Sequence, residues 1–240
     1  MSPDSPRPVI HVVAAAVIDA AGRVLIAQRP AGKHLAGGWE FPGGKLEPGE
    51  ERVAGLAREL REELGIAIET PRPLMRVRHA YPTREVLLDV WVVRRYAGEP
   101  AGLDGQALRW CAQEDLPAAN LLPADAPIVA ALRLPERLTQ VFTPRYAVSD
   151  LRSLREQGAG AESAGRPPLD RRTRLRGVFC AGAEEAVAAA RAGADFLVMR
   201  AALADGDLAV LCGSMAVPVY ARGLEMEQAW ALGATGLNEI

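Results

Sequence analysis

The chain has few cysteines, almost no net charge and no long apolar run, and each shortage narrows what it can be. Cys111, Cys180 and Cys212 are far apart and odd in number. They make no metal-ligand or disulfide pattern, so buried free thiols are expected. Lys and Arg number 28 against 30 Asp and Glu, a formal charge of −2. No global basic field is available for duplex nucleic acid, so the expected partner is a small phosphorylated molecule. The longest apolar stretch, Val12–Ile18, is broken by Asp19 and is too short to span a bilayer. The N-terminal MSPDSPRP lacks the basic-then-apolar order of a secretory signal. A cytoplasmic protein with no membrane attachment is expected.

What is present is apolar content enough for a filled core, 49% of 240 residues, in one large domain or two smaller ones. Residues 10–18 and 23–29 read as strands joined at Asp19–Gly22, a hairpin signal. Leu74–Tyr81, Glu85–Tyr96 and Leu108–Cys111 read as further strands, and Ala126–Leu134 as a helix stopped by Pro135. Mixed strands with a helix on each side predict an α/β/α sandwich over residues 1–135. Residues 156–173, rich in Gly, Ala, Pro and charge, read as a mobile loop. Beyond them strands and helices alternate: 175–180, 183–192, 195–199, 217–221, 225–232 and 236–240. That alternation predicts parallel strands in a second unit, 136–240.

The chemistry is concentrated between Gly44 and Ile66, GKLEPGEERVAGLARELREELGI. Val53, Leu56, Ala57, Leu60 and Leu64 recur at spacings of three and four, the stripe of an amphipathic helix. Gly65 is placed to end it in a left-handed conformation. Glu59, Glu62 and Glu63 share another face. Their mutual repulsion disfavours the bare helix, so a bound cation is expected, and oxygen-only ligands suit Mg²⁺ or Mn²⁺. Before the helix, Phe41-Pro42-Gly43-Gly44-Lys45 makes a tight bend that permits close backbone approach.

Gly44, Glu50, Arg58-Glu59-Leu60, Glu62-Glu63 and Gly65-Ile66 fill every fixed position of the Nudix box, and the first 135 residues resemble the MutT branch of the Nudix family. GGWEFPGGKLEPGE and Leu122–Ile128 carry the likeness beyond the box. The resemblance implies Mg²⁺-dependent hydrolysis of a nucleoside triphosphate, 8-oxo-dGTP, to the monophosphate and pyrophosphate, with a role in mutation avoidance. It implies metal ligation by Glu59, Glu62, Glu63 and the Gly43 carbonyl, with Asp104 in a position often held by a further acidic ligand. Glu59 is the implied base, Arg58 its orienting partner and Glu50 a support. Arg29 and Lys45 would meet phosphates, and Phe41 and Asp125 the base. Asp125 stands where the family has an Asn, and Thr83 where an acidic residue is found. His34 receives no role. A nucleotide sugar, ADP-ribose or pterin triphosphate substrate, a nucleotide sensor, or a thiamine-pathway protein, are the rival readings.

Residues 136–240 resemble thiamine phosphate synthase (TenI-like) domains through LTQVFTP, GVFCAGAEEAVAAARAGADFLVM and VPVYARGLEMEQAWALGATGLNEI. A full (β/α)₈ barrel needs roughly 200–250 residues. A partial TIM-barrel-like, non-catalytic module is therefore expected, packing on the first unit or forming a homodimer.

Overall fold

The computed structural model describes residues 8–30, 32, 35–158 and 174–240. The chain opens with β1 (Val9–Val17), β2 (Val24–Gln28), β3 (Trp39–Glu40) and β4 (Gly43–Lys45), then helix α1 (Arg52–Leu64). It continues through β5 (Ala67–Glu69), β6 (Arg72–Ala80), β7 (Glu85–Val93), β8 (Arg95–Ala97) and β9 (Leu108–Cys111) to α2 (Ala126–Arg133). Four strands make the main sheet in the order β4-β1-β7-β6. β1 runs antiparallel to β4 and parallel to β7, and β6 returns antiparallel on β7.

Strand alternation divides this sheet between two helices. Val13, Ala15, Val17, Trp91 and Val93 point to one face and pack with Leu56, Leu60 and Leu64 of α1. Ala14, Ala16, Val90 and Val92 point to the other and pack with Ile128, Val129 and Ala131 of α2. Leu56, Leu60 and Leu64 are fully buried, but Val53 is exposed and does not belong to the buried stripe. α1 begins at Glu51, whose side chain accepts from the Val53 N–H, and stops at Gly65 with φ +71°.

The expected hairpin forms only at its turn. The Gly22 N–H reaches the Asp19 carbonyl, and the Asp19 carboxylate accepts from the N–H groups of Ala21 and Arg23. Beyond the Ile18–Val24 bridge the strands part, because β2 pairs with β3 and β9 in a separate three-stranded sheet.

The second half carries β10 (Arg137–Leu138), β11 (Tyr146–Ser149), α3 (Leu151–Gly158), β12 (Leu175–Cys180), α4 (Ala183–Arg191) and β13 (Phe196–Met199). It ends with α5 (Asp205–Ser214), β14 (Val219–Ala221), α6 (Met226–Ala231) and β15 (Gly236–Asn238). Its six strands are all parallel, in the order β10-β15-β14-β13-β12-β11. Residues 156–158, expected in a mobile loop, instead finish α3, while 159–173 lie outside the described residues. α5 was not foreseen. Its glycines, Gly206 and Gly213, obscure a helical pattern that nevertheless buries Leu208, Leu211 and Cys212.

Leu208, Leu211, Ala186, Ala189 and Ala229 pack on one face of this sheet. On the other face, Tyr146, Phe196 and Tyr220 make two edge-to-face ring pairs, with centroids 5.8 and 5.9 Å apart. Gly177 admits them, since a Cβ there would lie 2.3 Å from the Phe196 ring. Ala130 and Leu134 reach into this aromatic cluster, so α2 serves both halves. The Tyr220 hydroxyl donates to the Pro135 carbonyl at 2.5 Å. β6, the edge of the main sheet, is covered by the second half. The Arg78 N–H and Nε donate to the carbonyls of Met215 and Gly213, at 3.3 and 3.2 Å. The three cysteines are buried thiols outside any disulfide among the described residues. No described helix is long and apolar enough to cross a membrane.

Candidate active site

The site is assembled where α1 crosses the glycine bend. Gly43 has φ +146°, and a Cβ there would lie 2.1 Å from the Val13 carbonyl oxygen. Only glycine meets both conditions. Its N–H donates to Glu63 Oε2 at 3.2 Å. At Gly44 a Cβ would fall 2.2 Å from a Glu59 carboxylate oxygen. The two glycines thus let two helix carboxylates lie directly on the backbone of β4.

Arg58 ties helix to loop. Its Nε and Nη2 donate to the two oxygens of Glu50 at 2.9 and 2.8 Å, and Nη2 also reaches the Lys45 carbonyl at 3.1 Å. Its Nη1 donates to Glu59 at 2.9 Å and to Glu62 at 3.2 Å. Arg58 and the Glu47 N–H hold the Glu50 carboxyl down at about 2. The paired carboxylates raise Arg58 itself above its ordinary value.

The three helix glutamates expected to act together have different surroundings. Glu62 is paired with Arg58, and its side chain is 61% exposed. Glu63 is pushed up to about 7, first by burial, then by the negative charges of Glu59, Glu40 and Asp104, against the pull of the Gly43 N–H. Among the described residues, no group of three or more His, Cys, Asp or Glu side chains is gathered closely enough to hold a metal ion.

A cleft opens beside Glu63, lined by Phe41, Gly43, Glu40, Asp104, Gln106 and Gln28 among others. Asp104 is exposed, but the loop returns it here. Gln106 accepts from the Asp104 N–H and donates to the Glu63 carbonyl, at 2.9 and 3.0 Å. Phe41 is both a core residue and a cleft wall. Asp125 is 5% exposed, and its Oδ2 has no hydrogen-bond partner among the described residues. Burial first, and the charge of Glu40 second, raise its carboxyl well above the ordinary range, although the Phe41 N–H bonds it.

Arg29 pairs with Glu40 at 3.1 Å and is felt by Asp125 and Tyr81, which places it on the Asp125 side of the cleft. Lys45 is exposed and offers only its carbonyl to Arg58. Thr83 is exposed in the β6–β7 turn, and His34 lies outside the described residues. Sequence reasoning missed Glu40, Gln106 and Tyr81. Glu40 adjoins Phe41 in the Trp-Glu-Phe run, a signal that was available. Tyr81 and Gln106 carry none, because distant segments bring them here.

Residues 13–131 match the NUDIX domain. The chain is 41% identical to CTP pyrophosphohydrolase of Escherichia coli (strain K12) over 119 residues, covering 50% of this chain and 88% of that protein. It is 37% identical over 110 residues to 8-oxo-dGTP diphosphatase of the same organism, covering 46% and 85%. The solution structure of the E. coli ORF135 protein aligns with a TM-score of 0.48 and 39% identity, covering 53% of this chain and 92% of that one. The glycine bend, the glutamate-bearing helix and the identity to these two E. coli enzymes over more than four fifths of their lengths assign the chain to the Nudix hydrolase family.

Proposed function

We propose that the chain hydrolyses a nucleoside triphosphate to the monophosphate and pyrophosphate, with 8-oxo-dGTP as the substrate and Mg²⁺ (or Mn²⁺) as the cofactor. The observation that carries this reading is the pair of carboxylates, Glu59 and Glu63, laid on Gly43 and Gly44 at the mouth of a cleft walled by Phe41. By type these oxygen donors suit a divalent cation, which would have to draw the carboxylates closer together than they stand here. Burial first, and then the negative charges of Glu59, Glu40 and Asp104, push the Glu63 carboxyl up to about 7. A cation would be held by Glu59, Glu63, the Gly43 carbonyl and Asp104, with Glu62 joining from its exposed position beside Arg58. When bound, it neutralises the polyphosphate and acidifies the attacking water.

The chain's own residues do the rest. Glu59 takes a proton from the water, and Arg58 fixes the carboxylate that receives it through a charge-assisted hydrogen bond. Glu50 and the Lys45 carbonyl hold Arg58 against the loop. Lys45 meets the phosphates from the exposed side. Arg29, expected at phosphate, sits beside Glu40 and Asp125 and acts nearer the base. Phe41 packs on the base. Burial favours the protonated form of the Asp125 carboxyl, and in that form it both donates and accepts, as an Asn would. A pyrimidine triphosphate is the second reading, favoured by the likeness to CTP pyrophosphohydrolase.

Residues 136–240 we read as a separate, shortened barrel-like domain without synthase activity, related to thiamine phosphate synthases and a route to a homodimer. Its first strand, β10, lies beside its last, β15, as in a closing barrel, while β11 ends the sheet on the other side. Thiamine phosphate formation by the purified protein would overturn this part.

The main test is turnover of 8-oxo-dGTP, dGTP, CTP and ADP-ribose with Mg²⁺, separating pyrophosphate from phosphate. Preference for 8-oxo-dGTP with pyrophosphate release is the expected result. Preference for CTP moves the substrate to the second reading. Glu59→Gln is expected to lower kcat by roughly 10²–10⁴-fold, the range for loss of a general base, with an unchanged circular dichroism spectrum.

A further inference from the structure

A cavity of about 380 Å³ opens between β6 of the main sheet and α6 of the second half. That is within the roughly 300–1,000 Å³ range of small-molecule sites, and the junction of two units is where such sites favour forming. It shares no lining residue with the active-site cleft. Arg52, at its wall, opens α1, about 16 Å along the helix from Glu63.

The walls are short of negative charge. Arg52 and Arg76 both donate to one oxygen of the buried Asp89, at 3.2 and 2.9 Å. Arg72 adds a third guanidinium, paired with Glu136 at 3.0 Å and lying 4.7 Å from the centre of the Trp230 ring. The last acidic lining residue, Glu227, is exposed to solvent.

The walls are also short of acceptors. Arg72 Nη1, Trp91 Nε1 and Trp230 Nε1 are shielded from water and have no hydrogen-bond partner among the described residues. The large majority of buried side-chain polar atoms are paired. All three donors belong to side chains that line this one cavity, where a small turn of each would present it to an acceptor.

We propose that this cleft is a second ligand site, for a small organic anion that joins a planar ring to a phosphate or carboxylate. The oxyanion meets the Arg72, Arg76 and Arg52 side. The ring packs against Trp230, Met75 and the neighbouring prolines, and the two indoles turn their N–H groups to it. Arg72 links the two ends of the site, since it touches both Trp230 and the anion.

Calorimetric titration of the full chain in the presence of a chelator tests this. The probes are phenyl phosphate, benzoate, inorganic phosphate and phenol. Phenyl phosphate or benzoate is expected to bind once per chain, with a dissociation constant below about 1 mM. The stronger of the two identifies the headgroup. Arg72→Gln is expected to weaken that binding at least tenfold, and Trp230→Phe, which keeps a ring but removes the N–H, several-fold. Silence from both ring anions overturns the proposal. So does equal binding of phenol or inorganic phosphate, or unchanged affinity in Arg72→Gln. If Arg72→Gln fails to fold, Trp230→Phe decides, and unchanged affinity there is equally fatal.

Discussion

Gly43 and Asp125 show how single residues are held in states that their type alone does not suggest. Gly43 combines a backbone conformation closed to other residues with a contact that admits no Cβ. Gly43→Ala should therefore destabilise the protein by at least about 1–3 kcal/mol, the cost of one strained backbone position, and a urea titration would show it. Asp125 carries a raised carboxyl. Folding then takes up a proton at any pH between the unfolded value near 3.8 and the higher folded one. Stability must fall as pH rises through that window, at up to about 1.4 kcal/mol per pH unit. Asp125→Asn should remove this slope. Parallel slopes for wild type and variant between pH 5 and 8 would mean that Asp125 is ionised.

Helix α1 depends at the level of the element on Arg58, which bonds the preceding loop at Glu50 and Lys45 and its own turn at Glu59 and Glu62. Glu50 has its carboxyl lowered to about 2 from 4.5. A depressed carboxyl adds stability that is complete above about 4.5 and disappears as pH falls toward 2. Arg58→Met should flatten that acid limb, seen in melting temperatures between pH 2 and 5. It should also lower kcat more than it raises KM, because Arg58 positions Glu59 without binding substrate. The box helix was legible except at Val53, for its stripe and its terminal Gly65 are local spacings. The separation of Glu62 from Glu63 was not. It depends on a loop folding back to offer Gly43 to one carboxylate, while Arg58, pinned to that loop, takes the other.

The two halves of the whole molecule are joined by more than a linker. α2 contributes to both cores, and β6 is covered by α5 and α6. The Tyr220 hydroxyl reaches across to Pro135. Tyr220→Phe should cost about 0.5–1.5 kcal/mol, the net value of one hydrogen bond, with a somewhat larger loss if the Pro135 carbonyl finds no other partner. The sharper expectation is that both halves melt together, since α2 cannot leave one core intact while deserting the other. Two separated calorimetric transitions would contradict this.

Local spacing in the sequence alone determined the α1 register, the glycine bend, the Nudix identity and, α5 apart, the βα alternation of residues 175–240. Each depends on neighbours within a turn or a strand. Only the tertiary structure decided that β1 and β2 part after one bridge, that Glu40 and Tyr81 stand near Asp125, and that α2 is shared. Only there, too, do Arg72, Trp91 and Trp230 come to line one cavity. These features arise from contacts between segments far apart in the chain, where burial and charge depend on packing that no local pattern encodes.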